Sequence, residues 1–190
     1  PHDVPATQWL ASANAAIAAI RDTGANNLVL VPGTIWTGAH SWEEERDGGA
    51  NGTVMLGIQD PADNNAYEVH QYLDGDFSGK ASTCERADDA VKALERFTDW
   101  LKRNGKRGFL GEFGGSAEPA CLDGLARMTA LIHRENAVWT GWTYWAAGDW
   151  WPASEPLNIQ PTADGDRPQL AALVSGGALP AKAGTCPSLP

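Results

Sequence analysis

Glu112 stands where a short apolar run gives way to glycines, in Gly108-Phe109-Leu110-Gly111-Glu112-Phe113-Gly114-Gly115. A strand that carries one glutamate at its tip and then opens into a loop is how strand-end active sites present a catalytic acid or nucleophile. Nine tryptophans accompany it, several near the ends of other apolar runs. Carboxylates act as acid, base or nucleophile at a glycosidic bond, and indoles stack on the C–H faces of sugar rings. The combination points to chemistry on carbohydrate.

His70 and Tyr72 lie two apart in Tyr67–Leu73, so on a strand both point to the same face. Trp36 and Trp42 fall in the loop after an earlier apolar run, and Trp145 ends the last one. An exposed tryptophan in a cleft is costly unless a ligand covers it. These three are therefore expected to stack on substrate, and His40, in the same loop, to line the cleft. Trp9, Trp100, Trp139 and Trp142 sit inside helical or strand patterns and are expected in the core. Trp150 and Trp151 fit either an extension of the cleft or a cap on the fold.

Four runs must position these side chains: Asn27–Pro32, Tyr67–Leu73, Gly108–Phe113 and Val138–Trp145. Helical spacing precedes three of them. Trp9, Leu10, Ala13, Ala16, Ile17 and Ile20 form one stripe, ending before Gly24. Ala90, Val91, Leu94, Phe97 and Leu101 form another, with Asp88 and Asp89 at its start and Lys102, Arg103 and Gly105 at its end. Leu122, Leu125, Met128, Leu131 and Ile132 form the third. The lead-in to the second run, residues 33–65, is rich in Gly, Asp, Asn and Trp and reads as a long working loop with at most a short helix. The Pro- and Gly-rich tail holds one short helix near Pro168–Val174. Alternating strands and helices predict an α/β fold with a parallel sheet, its apolar strands buried on both faces. Four strands alone would leave two open edges. A small free-standing domain and half of a larger one both remain open on this pattern.

With 14 Lys and Arg against 24 Asp and Glu, the net charge is −10. That argues against a phosphate-neutralising face, so no nucleic acid is expected, and it disfavours docking on anionic membranes. No apolar run is long enough to span a bilayer. Pro1-His2-Asp3-Val4 has neither the basic start nor the apolar core of a leader. A chain opening on proline reads as a processed or cut product. The three cysteines, Cys84, Cys121 and Cys186, allow at most one internal bridge, and their spacing fits no zinc site. Low lysine, with much Trp, Gly and Pro, suits a secreted enzyme. Asn51-Gly52-Thr53 is a sequon of a kind common by chance.

Taken in order, Pro1-His2-Asp3, the stretch Val31–Trp42 (VPGTIWTGAHSW), the stretch Tyr67–Asp74 (YEVHQYLD), Gly111-Glu112-Phe113-Gly114-Gly115 and the stretch Gly141–Gly148 (GWTYWAAG) followed by Asp149-Trp150-Trp151 resemble glycoside hydrolase family 5. The likeness is nearest to its fungal-type endoglucanase branch and runs through roughly residues 1–170. It implies an eight-stranded (β/α)8 TIM barrel, with this chain supplying strands 5–8. Residues 1–175 would be the C-terminal half of the catalytic domain and 176–190 a tail. It implies Glu112 as the nucleophile of a retaining mechanism, and an acid/base glutamate just upstream of Pro1, with His2 beside it. His70 would bond a sugar hydroxyl, and Tyr72 would hold the nucleophile's oxygen. Related enzymes have a pair like Cys84 and Cys121, here on neighbouring strand-end loops; Cys186 has no visible partner.

The expected activity is endo-β-1,4-glucanase, acting on cellulose-like chains outside the cell, without metal or cofactor. The expected partners are a β-glucan and the N-terminal half of the barrel, without which the chain is expected to be inactive. A β-mannanase on the same fold, or a non-catalytic sugar-binding half-barrel, are the alternatives.

Overall fold

The computed structural model describes residues 1–175; the tail 176–190, with Cys186, lies outside the described residues. The chain alternates α1 (Ala6–Asp22), β1 (Val29–Pro32), α2 (Asn51–Val54), β2 (Asn65–His70), α3 (Ala87–Asn104), β3 (Gly108–Glu112), α4 (Pro119–Arg134), β4 (Trp139–Trp142) and α5 (Pro168–Ser175). The four strands form one parallel sheet in the order β1-β2-β3-β4. Crossovers between parallel strands are right-handed, so a strictly sequential order keeps every helix on one side of the sheet. That is the winding of a barrel segment: four successive β/α units, half of an eight-stranded (β/α) barrel.

Local chemistry explains the long helices. In α3, Asp88 and Asp89 face the positive N-terminal end of the helix dipole, and Lys102 and Arg103 the negative end. Gly105 then takes φ +60°, the left-handed residue that closes the helix. In α4, Pro119 starts the helix with a ring that needs no N–H partner. Their apolar stripes meet the sheet in one core, with Ile17 from α1, Leu94, Phe97 and Leu101 from α3, and Leu125 and Met128 from α4. The strands supply Val31, Val69 and Leu110 to the same core. The opposite face of the sheet is partly uncovered: Leu30, between two inward-packed neighbours, is 39% exposed and Thr140 on β4 is exposed, while Ala66 on central β2 is buried.

The β1–β2 connection differs from a plain loop. It contains single helical turns at Ile35–Thr37, Ala39–Ser41 and Met55–Gly57 besides the short α2. Trp42, expected to stack on ligand, is instead 1% exposed. It packs edge-to-face on Phe97, Trp100 and Tyr67, at centroid distances of 5.1, 5.4 and 6.0 Å. The physical reason is the missing crossover helix. With only α2 and isolated turns in this connection, the space beside α3 is filled by an indole from the connection itself, and burying that area outweighs exposing it.

Candidate active site

Parallel pairing brings the strand tips together. His70, the last residue of β2, is in register with Glu112, the last of β3. The N–H of Gln71 donates to the Glu112 carbonyl at 2.9 Å, which locks the two tips side by side. Tyr72 Oη donates to Glu112 Oε2 at 3.0 Å, and His70 Nδ1 lies 3.4 Å from the same oxygen. Burial, and then the neighbouring Glu112 carboxylate, push the Tyr72 phenol far above its ordinary value of 10.0. It is therefore a proton donor at any working pH. His70 Nε2 lies 2.8 Å from Oε1 of a second carboxylate, Glu68. Both ring nitrogens thus face glutamates, with 28% of the His70 side chain exposed.

Glu112, His70 and Tyr72 line one cleft of about 500 Å³, together with Trp36, His40, Phe77 and Lys80. Trp36 is 64% exposed, and one face of its ring is stacked on His2 at 4.5 Å and 9°. Its backbone is unusual: Ile35, Trp36 and Thr37 all have positive φ, at 56°, 51° and 52°. Thr37 Oγ1 braces this left-handed turn by accepting from Gly33 N at 2.8 Å and donating to the Glu68 carbonyl. His40 lies against Phe77 at 4.6 Å, and burial lowers its affinity for a proton. Trp145, 42% exposed, lines a separate hollow of about 250 Å³ with Trp151 and Leu157; Lys80 borders both spaces. Trp151 meets Trp145 edge-on at 5.5 Å, and Trp150 stands 89% exposed. Trp100 and Trp139 are in the core, and Trp9 and Trp142 are half-buried.

Two supports hold the loops around the cleft. Cys84 and Cys121 form a disulfide with Cα atoms 5.1 Å apart, tying the connection after β2 to the start of α4. Buried Asp74 accepts from the backbone N–H groups of Gly79, Lys80 and Ala81 and from the Ser78 hydroxyl, at 2.9–3.3 Å. That shapes the segment carrying Phe77 and Lys80. Glu68 and Asp74 were missed in the sequence. Period-two spacing before His70 was a signal for Glu68, since residues 68, 70 and 72 share one face. Asp74 offered only an Asp-Gly turn signal.

Residues 1–148 match the family model Cellulase (glycosyl hydrolase family 5). Among curated relatives, Endoglucanase 1 of Robillarda sp. (strain Y-20) is 40% identical over 162 residues, 85% of this chain and 41% of that protein. Among solved structures, the endo-beta-1,4-glucanase Xac0029 from Xanthomonas axonopodis pv. citri is 45% identical with a TM-score of 0.88, covering 93% of this chain and 56% of that one. XacCel5A in complex with cellopentaose gives 43% identity and a TM-score of 0.89, covering 93% and 57%. The chain therefore spans about two fifths of that curated relative and a little over half of the solved chains.

Proposed function

The chain belongs to glycosyl hydrolase family 5, the cellulase family, and we propose that it forms the part of a retaining endo-β-1,4-glucanase that carries the nucleophile, Glu112. One observation carries this reading: Tyr72 and His70 both address Oε2 of Glu112 at the wall of an open cleft. Oε1 makes no hydrogen bond among the described residues and is free to attack. In the first step Oε1 bonds to the anomeric carbon and the bond to the leaving oxygen breaks. A proton reaches that oxygen from an opposing carboxylic acid, which a retaining site places about 5–5.5 Å from the nucleophile. The Tyr72 hydroxyl stays on Oε2, now the carbonyl oxygen of the ester. Water then attacks the same carbon, gives its proton to the opposing carboxylate, and releases Glu112.

The opposing acid belongs to the other half of the barrel, the expected companion of the partly uncovered sheet face that exposes Leu30. Trp36, with one ring face on His2, offers the other to a glucan ring. The names of the relatives and the cellopentaose complex support a β-1,4-glucan as substrate. The disulfide suits an oxidising, extracellular setting, and no helix among the described residues is long and apolar enough to cross a membrane.

The test is Glu112→Gln in the complete barrel, assayed on carboxymethylcellulose and on mannan. Turnover should vanish while the far-UV spectrum and thermal midpoint persist, and the unmutated enzyme should first release the β-anomer. Wild-type turnover in the variant would refute the assignment. Faster cleavage of mannan by the unmutated barrel would move the substrate to mannan, and glycan binding without cleavage by the unmutated barrel would leave a sugar-binding role.

A further inference from the structure

Glu68 has no part in the chemistry above, yet its placement is specific. It lies two residues before His70 on β2, on the same face. Its side chain is 11% exposed, and its one ion pair among the described residues is with His70 Nε2, at 2.8 Å. Across the ring, Nδ1 faces Glu112 Oε2. The imidazole is bracketed by two carboxylates, one solvent-facing in the cleft and one buried behind it. Room for the buried one comes from the neighbouring strand. A Cβ built on Gly111 would overlap Glu68 Oε1, so the glycine that precedes Glu112 is what lets the Glu68 carboxylate lie across β3.

We propose that Glu68 is a positioning residue, whose carboxylate accepts the Nε2 proton of His70 and thereby fixes which edge of the imidazole faces the nucleophile. A neutral ring offers one N–H and one lone pair. The Glu68 carboxylate, 2.8 Å from Nε2, selects that nitrogen as the one that donates, and so sets how the other edge of the ring lies against Glu112 Oε2. Partners that orient a functional histidine through its far nitrogen contribute by fixing tautomer and ring plane. Glu68 and Gly111 act here as a pair: one supplies the acceptor, the other the space.

This inference rests on the reading of Glu112 as nucleophile, and the experiment separates the two. In the complete barrel, Glu68→Ala should lower kcat on the order of 10- to 100-fold and change KM little. Glu68→Gln keeps an acceptor oxygen and should recover most of that loss. Gly111→Ala, which displaces the carboxylate without removing it, should resemble Glu68→Ala. Imidazole ¹⁵N spectra supply a readout independent of turnover: the signal of protonated Nε2 in His70 should persist in Glu68→Gln and change in Glu68→Ala. Equal kcat in Glu68→Ala and wild type, a Glu68→Gln variant no better than Glu68→Ala, or an unmoved His70 signal would each overturn the proposal. If the unmutated barrel cleaves no glycan, the proposed activity falls, and the spectra alone still decide whether Glu68 holds His70.

Discussion

Among the described residues, the Tyr72 hydroxyl is the one hydrogen-bond donor to the Glu112 carboxylate, at 3.0 Å. Tyr72→Phe keeps the buried ring and removes that donor, so folding should be unaffected and the cost should appear in the chemistry. We expect kcat to fall on the order of 10²-fold, as when one preorganised donor is removed from a developing charge. Steady-state kinetics on a soluble cellooligosaccharide would check it. Because the phenol stays protonated through the working range, the pH profile should gain no basic limb from this residue. At this scale the sequence was informative. Glu112, His70 and Tyr72 were legible from a strand tip and from period-two spacing, and they do meet. Glu68 was not, because its meaning depends on which residue of β3 lies opposite, and register between strands 40 residues apart is set by pairing, not by local pattern.

The β1–β2 connection shows where local reading failed. Trp42 follows Trp36 by six residues in similar loop chemistry, yet one faces the cleft and the other fills the core. Nothing in spacing distinguishes them; what separates them is the left-handed turn at Ile35–Thr37 that carries Trp36 and the further turn at Ala39–Ser41 that leads into Trp42. Trp42→Ala should therefore be a stability variant. Emptying a 1% exposed site inside an aromatic cluster should cost about 3–5 kcal/mol, read from denaturant unfolding, with KM for glycan little changed in the folded fraction. By contrast α3 was legible almost to its ends, because stripe, dipole charges and terminal Gly105 agree, while α4 was legible from its apolar stripe alone and its start at Pro119 was not.

For the whole molecule, a polar clasp far from the cleft closes the other end of the β1–β2 unit. Arg21 on α1 forms a bidentate pair with Asp60 at 2.7 and 2.9 Å and also donates to three backbone carbonyls. The Arg21 hydrogen bonds hold the Asp60 carboxyl well below its ordinary 3.8. A depressed carboxylate contributes its full stability above the unfolded value and loses it as pH falls through the folded one. Asp60→Asn should thus lower the thermal midpoint at pH 7, and the gap to wild type should narrow below about pH 4. A gap that stays constant with pH would sink this account. Parallel order and helix placement were readable from alternation, while the partly uncovered sheet face was not, since continuous apolar strands look alike whatever covers them. The left-handed turn bearing Trp36 has a consequence for breeding this protein. Three consecutive side-chain-bearing residues at positive φ each cost about 1–3 kcal/mol, so selection for heat tolerance alone would drift toward glycine and asparagine there, trading the shape of this cleft wall for a longer shelf life.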